Sequence, residues 1–186
     1  MTMALTLRNT STYYGLIAQA LHWIVVVGIL LQFIWAWRIE ETESIRQQFA
    51  LVNQHKSIGV TVLLLVLVRM GWRLCNRVPP WPESMTMWER LAAGSVHWGL
   101  YGLMLMIPIS GWAYSAAAGY GPEWFGWLEL PAIFPVSESL ERSMQWVHIW
   151  SGRLLLALVL VHVLAALRHQ LVLKDGLLRR MWGGGG

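Results

Sequence analysis

Four apolar runs alternate with polar segments along the chain, and each run is long enough to cross a bilayer as a helix. A helix rises about 1.5 Å per residue, so about 20 apolar residues span the hydrocarbon core. The pattern predicts spans at about residues 15–37, 55–74, 92–114 and 146–168. Loops are expected over residues 38–54 and 115–145, which are polar or rich in Gly and Pro. We therefore predict an all-α fold, an integral membrane four-helix bundle that forms one membrane domain over residues 1–186.

Composition agrees with a membrane protein, since 56% of the 186 residues are hydrophobic and only 13% are charged. Many of the 13 tryptophans lie near the ends of the apolar runs, as expected of aromatic belts at the lipid headgroups. The formal net charge of +4 comes from basic residues beside the spans, so nucleic acid is not an expected partner. Cys75 is the single cysteine, which excludes an intramolecular disulfide or a thiolate iron–sulfur cluster within one chain. The glycines at 183–186 are interpreted as a tail or a cloning scar.

Basic residues beside the spans set the predicted orientation. With four spans, the N-terminus, the connector between spans two and three and the C-terminus share one side. That side carries Arg8, Arg69, Arg73, Arg77, Arg90, Arg168, Lys174, Arg179 and Arg180, whereas the other carries Arg38, Arg46, Lys56 and Arg142. Seven of the ten acidic residues lie on the less basic side. The positive-inside rule therefore places both termini in the cytoplasm.

The fourth span contains two histidines, His148 and His162, separated by 14 positions. Ionisable side chains are costly in hydrocarbon and usually face the interior of a bundle, where they serve a function. On a straight helix these two point within about 40° of each other and lie about 21 Å apart. One helix face thus offers an imidazole near each membrane surface, a spacing suited to two metal cofactors stacked across the membrane.

The predicted depths of the other histidines complete two pairs. His22 and His162 fall at similar depth below the cytoplasmic surface, and His55 and His148 both open spans at the outer surface. A low-spin haem takes two trans imidazoles from facing helices, so the pattern favours one haem b per pair. Zinc requires further N, S or carboxylate ligands, and no carboxylate lies inside a predicted span. Histidines used only for packing or for proton relay are the alternative.

Two more histidines leave alternatives open. His97 is expected near the depth of His22 and His162, where it could replace His22 as a ligand, contact a haem propionate or a quinone, or pack. We favour a role other than ligation. His169 is expected at the cytoplasmic interface, either solvated or in contact with a quinone. Arg69 and Arg73 end the second span and are expected to snorkel to the interface.

Five segments resemble the bacterial cytochrome b561 family of four-helix dihaem membrane proteins, and together they cover nearly the whole chain: YGLIAQALHW, HKSIGVTVLLLVLVRMGWRL, HWGLYGLMLMIPISGW, FGWLELPA and HIWSGRLLLALVLVHVLAALRHQLVLKDGLLRRM. The resemblance implies that His22 and His162 bind a cytoplasmic-side haem and that His55 and His148 bind a periplasmic-side haem. It also implies a location in the cell inner membrane and electron exchange with quinone, with ubiquinone the expected substrate. In one branch of the family it implies oxidation of superoxide.

Charge at the outer face bears on the choice of electron partner. An anion such as superoxide is attracted by positive potential, whereas the predicted outer loops are acidic. We therefore expect a dihaem cytochrome that transfers electrons between the quinone pool and a periplasmic redox partner such as a basic cytochrome. Superoxide:ubiquinone oxidoreductase activity, a haem anchor subunit of a dehydrogenase complex and a haem-free transporter are the alternatives. Lys56 and Arg153 are candidate contacts for propionates or an anion.

Overall fold

The computed structural model describes residues 6–121 and 123–182, and most of this chain is helical. In the described residues, four helices are long and apolar enough to cross a membrane: α1 (Leu16–Glu41), α2 (Ile45–Cys75), α3 (Met87–Ala117) and α4 (Glu138–Arg168). Large apolar side chains on these helices stay exposed, as lipid contact requires; examples are Val27, Leu30, Leu64, Leu156, Leu160 and Leu164. The predicted all-α membrane four-helix bundle is confirmed. The glycines at 183–186 lie outside the described residues.

Helix α2 begins ten residues before the span predicted from hydropathy. Ser44 precedes it, and the Ser44 carbonyl accepts a hydrogen bond of 2.8 Å from the Gln48 N–H. The Ser44 hydroxyl lies 3.5 Å from the Gln47 N–H, the start of a Ser-x-x-Gln capping pattern. Only residues 42–44 separate α1 from α2, so the loop predicted over 38–54 is wrong for most of its length. Polar residues continue the helix because they lie where water can solvate them.

Helices α3 and α4 also begin at capping residues and earlier than the predicted spans. At α3, the Thr86 N–H donates to the Glu89 carboxylate at 2.9 Å, and the Glu89 N–H donates to the Thr86 hydroxyl at 3.3 Å. This reciprocal arrangement is a capping box. At α4, the Ser137 hydroxyl accepts from the Leu140 N–H at 3.4 Å. Both helix starts are therefore set by residues local to them.

The segment between α3 and α4 contains a small antiparallel hairpin. Strand β1 (Glu123–Trp124) pairs with β2 (Leu128–Glu129), and the turn between them uses positive φ at Phe125 and Gly126. Ser57 and Thr61 of α2 hold the hairpin. The Ser57 hydroxyl accepts from the Phe125 N–H at 2.9 Å, and the Thr61 hydroxyl accepts from the Trp124 indole at 3.0 Å. The expected long loop is thus partly ordered and docked on α2.

The described residues group into two compact units, and the predicted site residues divide between them. The first unit comprises residues 6–24, 67–101 and 155–182, and it contains His22, His97 and His162. The second unit comprises Val25–Val66 and Gly102–Leu154, and it contains His55 and His148. Within the first unit, an ion pair of 3.0 Å joins Arg168 to Glu89.

The segment that precedes α1 packs against the start of that helix at Gly15. The Leu16 N–H donates to the Thr6 carbonyl at 2.9 Å, and the Gly15 N–H donates to the Asn9 side chain at 2.9 Å. A Cβ at Gly15 would lie 2.4 Å from the Arg8 carbonyl carbon. Glycine is therefore required at this close approach.

Candidate functional site

In the second unit, the structure brings His55 of α2 and His148 of α4 together. Their ring centroids are 6.1 Å apart, and the ring planes are inclined by 79°. Imidazole nitrogens bind a metal at about 2 Å, so two rings on opposite sides of one metal have centroids about 6 Å apart. The spacing of this pair is therefore suited to two imidazoles that would hold one haem.

The ring of His148 is oriented by α3. Its Nδ1–H donates to the Ile107 carbonyl at 2.9 Å, which leaves Nε2 free to bind a metal. The hydroxyl of Ser110, a buried residue, donates to the same carbonyl at 2.9 Å. Gly111 faces the ring so closely that a Cβ there would lie 2.9 Å from His148 Cε1. None of these three residues of α3 was predicted to support the site, because no local pattern reveals a neighbour on another helix.

The ring of His55 is less constrained than that of His148. Gln32 of α1 donates from Nε2 to the His55 backbone carbonyl at 3.1 Å. Within the described part of the chain, His55 Nδ1 and Gln32 Oε1 are both buried and have no hydrogen-bond partner. His55 Nδ1 thus makes no hydrogen bond to a described residue that would fix the rotation of the ring.

The two predicted cationic contacts of the outer pair differ in environment. Lys56, half-buried and next to His55 in the chain, donates from Nζ to the Ser115 hydroxyl at 3.1 Å. Arg153 is exposed, and its guanidinium lies 4.7 Å from the centre of the Trp150 ring. The Arg153 side chain therefore makes a cation–π contact along its own helix.

In the first unit, three histidines come together. The centroids of His22 and His162 are 6.5 Å apart with planes inclined by 70°, and those of His97 and His162 are 5.2 Å apart. His97 also stacks on Trp81 at 5.9 Å with an interplanar angle of 5°. The spacing of His97 from His162 is shorter than the approximately 6 Å that opposite ligands of one metal require. Geometry thus favours His22 over His97 as the partner of His162.

Arg69 contacts His22, a contact that the sequence did not predict. Its Nη1 lies 2.7 Å from His22 Nδ1, and its Nε–H donates to the Tyr101 hydroxyl at 3.2 Å. Arg73, one turn later, places its guanidinium 5.9 Å from the centre of the Tyr101 ring. Both arginines are half-buried, and the side chain of Arg69 turns toward His22.

His169 lies apart from both histidine pairs. It begins a π-helical turn, His169–Leu173, and its Nδ1 lies 2.5 Å from the Asp175 carboxylate. The side chains of His169 and Asp175 are 7% and 8% exposed. The solvated position, one of the two expectations for His169, is therefore wrong.

Each histidine pair presents two nitrogen ligands, the number that a haem takes axially. In residues 6–121 and 123–182, no group of three or more His, Cys, Asp or Glu side chains is arranged to hold a metal ion. The pair spacings, the free Nε2 of His148 and the small residue at Gly111 all fit a flat macrocycle between two imidazoles. The donor sets thus fit haem, and the individual ligand roles stay predictions.

Comparison with known proteins gives matches along nearly the whole chain. A family profile described as prokaryotic cytochrome b561 matches residues 13–184. Cytochrome b561 homolog 2 of Escherichia coli K12 is 30% identical over 182 residues, which are 96% of each chain. Cytochrome b562 of Cereibacter sphaeroides is 31% identical over 90% of this chain and 94% of its own. A probable superoxide oxidase, CybB of Yersinia pestis, is 30% identical over 90% of this chain and 94% of its own.

Proposed function

The chain belongs to the prokaryotic cytochrome b561 family, and from this premise we propose that it transfers single electrons between membrane ubiquinone and a redox partner at the outer face. Membership makes it a multi-pass membrane b-type cytochrome. The proposal adds two haems, the quinone substrate and the outer partner. We place the protein in the cell inner membrane, as a single membrane domain with both termini in the cytoplasm.

The two histidine pairs carry the proposal. We assign His22 and His162 to a cytoplasmic-side haem and His55 and His148 to a periplasmic-side haem, because each pair has a ring spacing at which two imidazoles could hold one metal. Haem iron supplies reversible one-electron transfer when bound. The residues of this chain hold the ligands: the Ile107 carbonyl orients His148, and Gly111 leaves room for its ring.

Charge in the second unit supports a cationic partner at the outer face. Its glutamates on the predicted outer side are Glu40, Glu41, Glu43, Glu123, Glu129, Glu138 and Glu141, most of them exposed. Acidic surfaces raise the rate at which cationic proteins dock, and they repel anions. A basic periplasmic cytochrome or a cationic small molecule therefore suits this surface better than superoxide.

Superoxide oxidation, with ubiquinone as acceptor, is the second candidate. One observation favours it, namely the 30% identity to a probable superoxide oxidase over 90% of this chain. Lys56 is the cation nearest in sequence to the proposed outer ligands, and it is half-buried beside Ser115. A superoxide oxidase would use such a charge to attract its anionic substrate.

Stopped-flow optical spectroscopy of the purified oxidised protein tests both candidates. The protein is mixed with ubiquinol, and separately with superoxide from xanthine oxidase in the presence and absence of superoxide dismutase. We expect ubiquinol to reduce the haems and superoxide to have little effect. Fast reduction by superoxide that the dismutase abolishes, followed by electron transfer to added ubiquinone, would instead identify a superoxide oxidase. A purified protein without haem absorption would refute the proposal altogether.

A further inference from the structure

Two cationic side chains in the first unit have no anionic partner among the residues that the structure describes. Arg69 and Arg73 lie one turn apart near the end of α2, and both are half-buried. Among the described residues, the ion pairs join Arg142 to Glu138, Arg168 to Glu89 and His169 to Asp175, so neither arginine is in one. Unpaired charge away from bulk water is costly. An anion bound beside the two arginines would therefore stabilise this arrangement.

The surroundings of the two arginines are rich in hydrogen-bond donors. Tyr101 accepts a hydrogen bond from Arg69, so its own hydroxyl hydrogen remains free to donate. The indole Nε1–H of Trp72 is buried and has no partner in the described part of the chain. Arg69, Arg73, Trp72 and Tyr101 line one small cavity. The side chains of these four residues carry hydrogen-bond donors, which suit an anion with several acceptor oxygens.

We infer that Arg69 and Arg73 bind the two propionate carboxylates of the haem held by His22 and His162. This inference rests on the proposed function, since it requires a haem at that pair. The charges balance, because two guanidinium groups face two carboxylates. The location agrees as well, because Arg69 contacts His22 directly. Guanidinium and carboxylate match in a bidentate geometry that lysine cannot reproduce.

The contact between Arg69 and His22 supports the same conclusion. A guanidinium only donates hydrogen bonds, so His22 Nδ1 accepts in this contact and the ring proton is on Nε2. If His22 held iron through Nε2, its ring proton would be on Nδ1, and that atom would have no lone pair for Arg69. The guanidinium would then be available for a carboxylate.

The test measures how fast each haem leaves the intact protein. Purified holoprotein is mixed with excess apomyoglobin, and haem transfer is followed optically for the wild type and for Arg69→Gln/Arg73→Gln. The haem of the His22 pair is identified as the one missing from His162→Ala. We expect the double variant to lose this haem about tenfold faster or more, a change equivalent to about 1.4 kcal/mol, because both charged partners of the propionates are removed. The other haem should leave at the wild-type rate.

Three controls make the outcome decisive. Arg77→Gln removes the same charge from an exposed side chain two residues after α2 and should change nothing. Arg69→Lys keeps the charge without the bidentate geometry and should give an intermediate rate. If the double variant loses both haems, haem transfer is measured for the single variant Arg73→Gln. Faster loss of the haem at the His22 pair supports the inference. Equal loss of both haems overturns it.

An anionic lipid is the other source of acceptor oxygens. If the arginines bind a lipid phosphate instead, the double variant will keep wild-type haem loss and will copurify with less phosphatidylglycerol or cardiolipin. That result overturns the inference. A wild-type protein that purifies with fewer than two haems per chain refutes the proposed function instead, so the two failures are distinguishable.

Discussion

Gly111 of α3 lies against the imidazole of His148, so that a Cβ on the glycine would approach Cε1 to 2.9 Å and Nδ1 to 3.0 Å. Real Cβ atoms essentially never come closer than 3.0 Å to such neighbours. A side chain at residue 111 would therefore displace the histidine ring from the position in which its Nδ1 donates to the Ile107 carbonyl. The backbone of α3 thus limits where the His148 ring of α4 can lie.

We predict that Gly111→Ala weakens haem binding at the His55–His148 pair. The added methyl group pushes the ring away from Ile107, and haem per chain, measured by the pyridine haemochrome assay, should fall from two toward one. Gly102→Ala is the matched control, since a Cβ at residue 102 of the same helix meets no atom within 4 Å. Gly102→Ala should keep both haems and gain up to about 1 kcal/mol from helix propensity. Equal haem content in the two variants would contradict this prediction.

Substitution of single ligands tests the proposed pairing. His148→Ala should remove the periplasmic-side haem and His162→Ala the cytoplasmic-side haem, each leaving one haem per chain. Val159→Ala, on the same helix, should keep both haems because it contributes no ligand. His97→Ala is expected to keep two haems, since we propose His22 as the partner of His162. Two haems per chain in His148→Ala or His162→Ala would show that the ligand assignment is wrong.

Removal of the Ser57 hydroxyl should detach the hairpin from α2. The side chain is 2% exposed, accepts from the Phe125 N–H and lies 3.0 Å from the Glu123 carbonyl. Ser57→Ala leaves those backbone groups without their partner at a cost of about 1–3 kcal/mol. We expect faster amide hydrogen exchange over residues 123–129. Ser143→Ala, which removes an exposed hydroxyl, should leave this exchange unchanged.

The His169–Asp175 pair should hold the segment after α4 in place. Asp175 accepts from His169 Nδ1 at 2.5 Å and from the Leu177 N–H at 3.1 Å. In Asp175→Asn the amide is a weaker acceptor for both, so the segment should loosen by about 1–3 kcal/mol. Amide hydrogen exchange over residues 174–182 is the measurement, with the exposed Arg179→Gln as control. Unchanged exchange in Asp175→Asn would mean that other contacts hold this segment.

Hydropathy predicted the membrane helices well but not their ends. The alternation of apolar and polar runs indicates which residues lipid can cover. Helical residues that extend beyond the membrane into water are polar, so hydropathy does not distinguish them from a loop. The early start of α2 was nevertheless encoded, since Ser44 and Gln47 have the spacing of a capping pattern. Thr86 and Glu89 gave the same signal for α3.

The histidine pairs could be predicted because the regular rise of a helix and the predicted orientation of the four spans together give the depth of each residue in the membrane. His55 and His148 do come together, and so do His22 and His162. The contact of Arg69 with His22 was missed because charge and hydropathy cannot say which way a long side chain turns at the end of a helix. Ile107 was missed for a related reason: it acts through a backbone carbonyl, which every residue possesses.

The capping residues before α2, α3 and α4 have a consequence for how the protein is made. Ser44, Thr86 and Ser137 stabilise each helix start through bonds that span no more than a few positions of the chain. Helix formation at these points needs neither a neighbouring helix nor a cofactor. Each segment can therefore enter the bilayer as a formed helix in order of synthesis, and helix association and haem capture can follow as later steps.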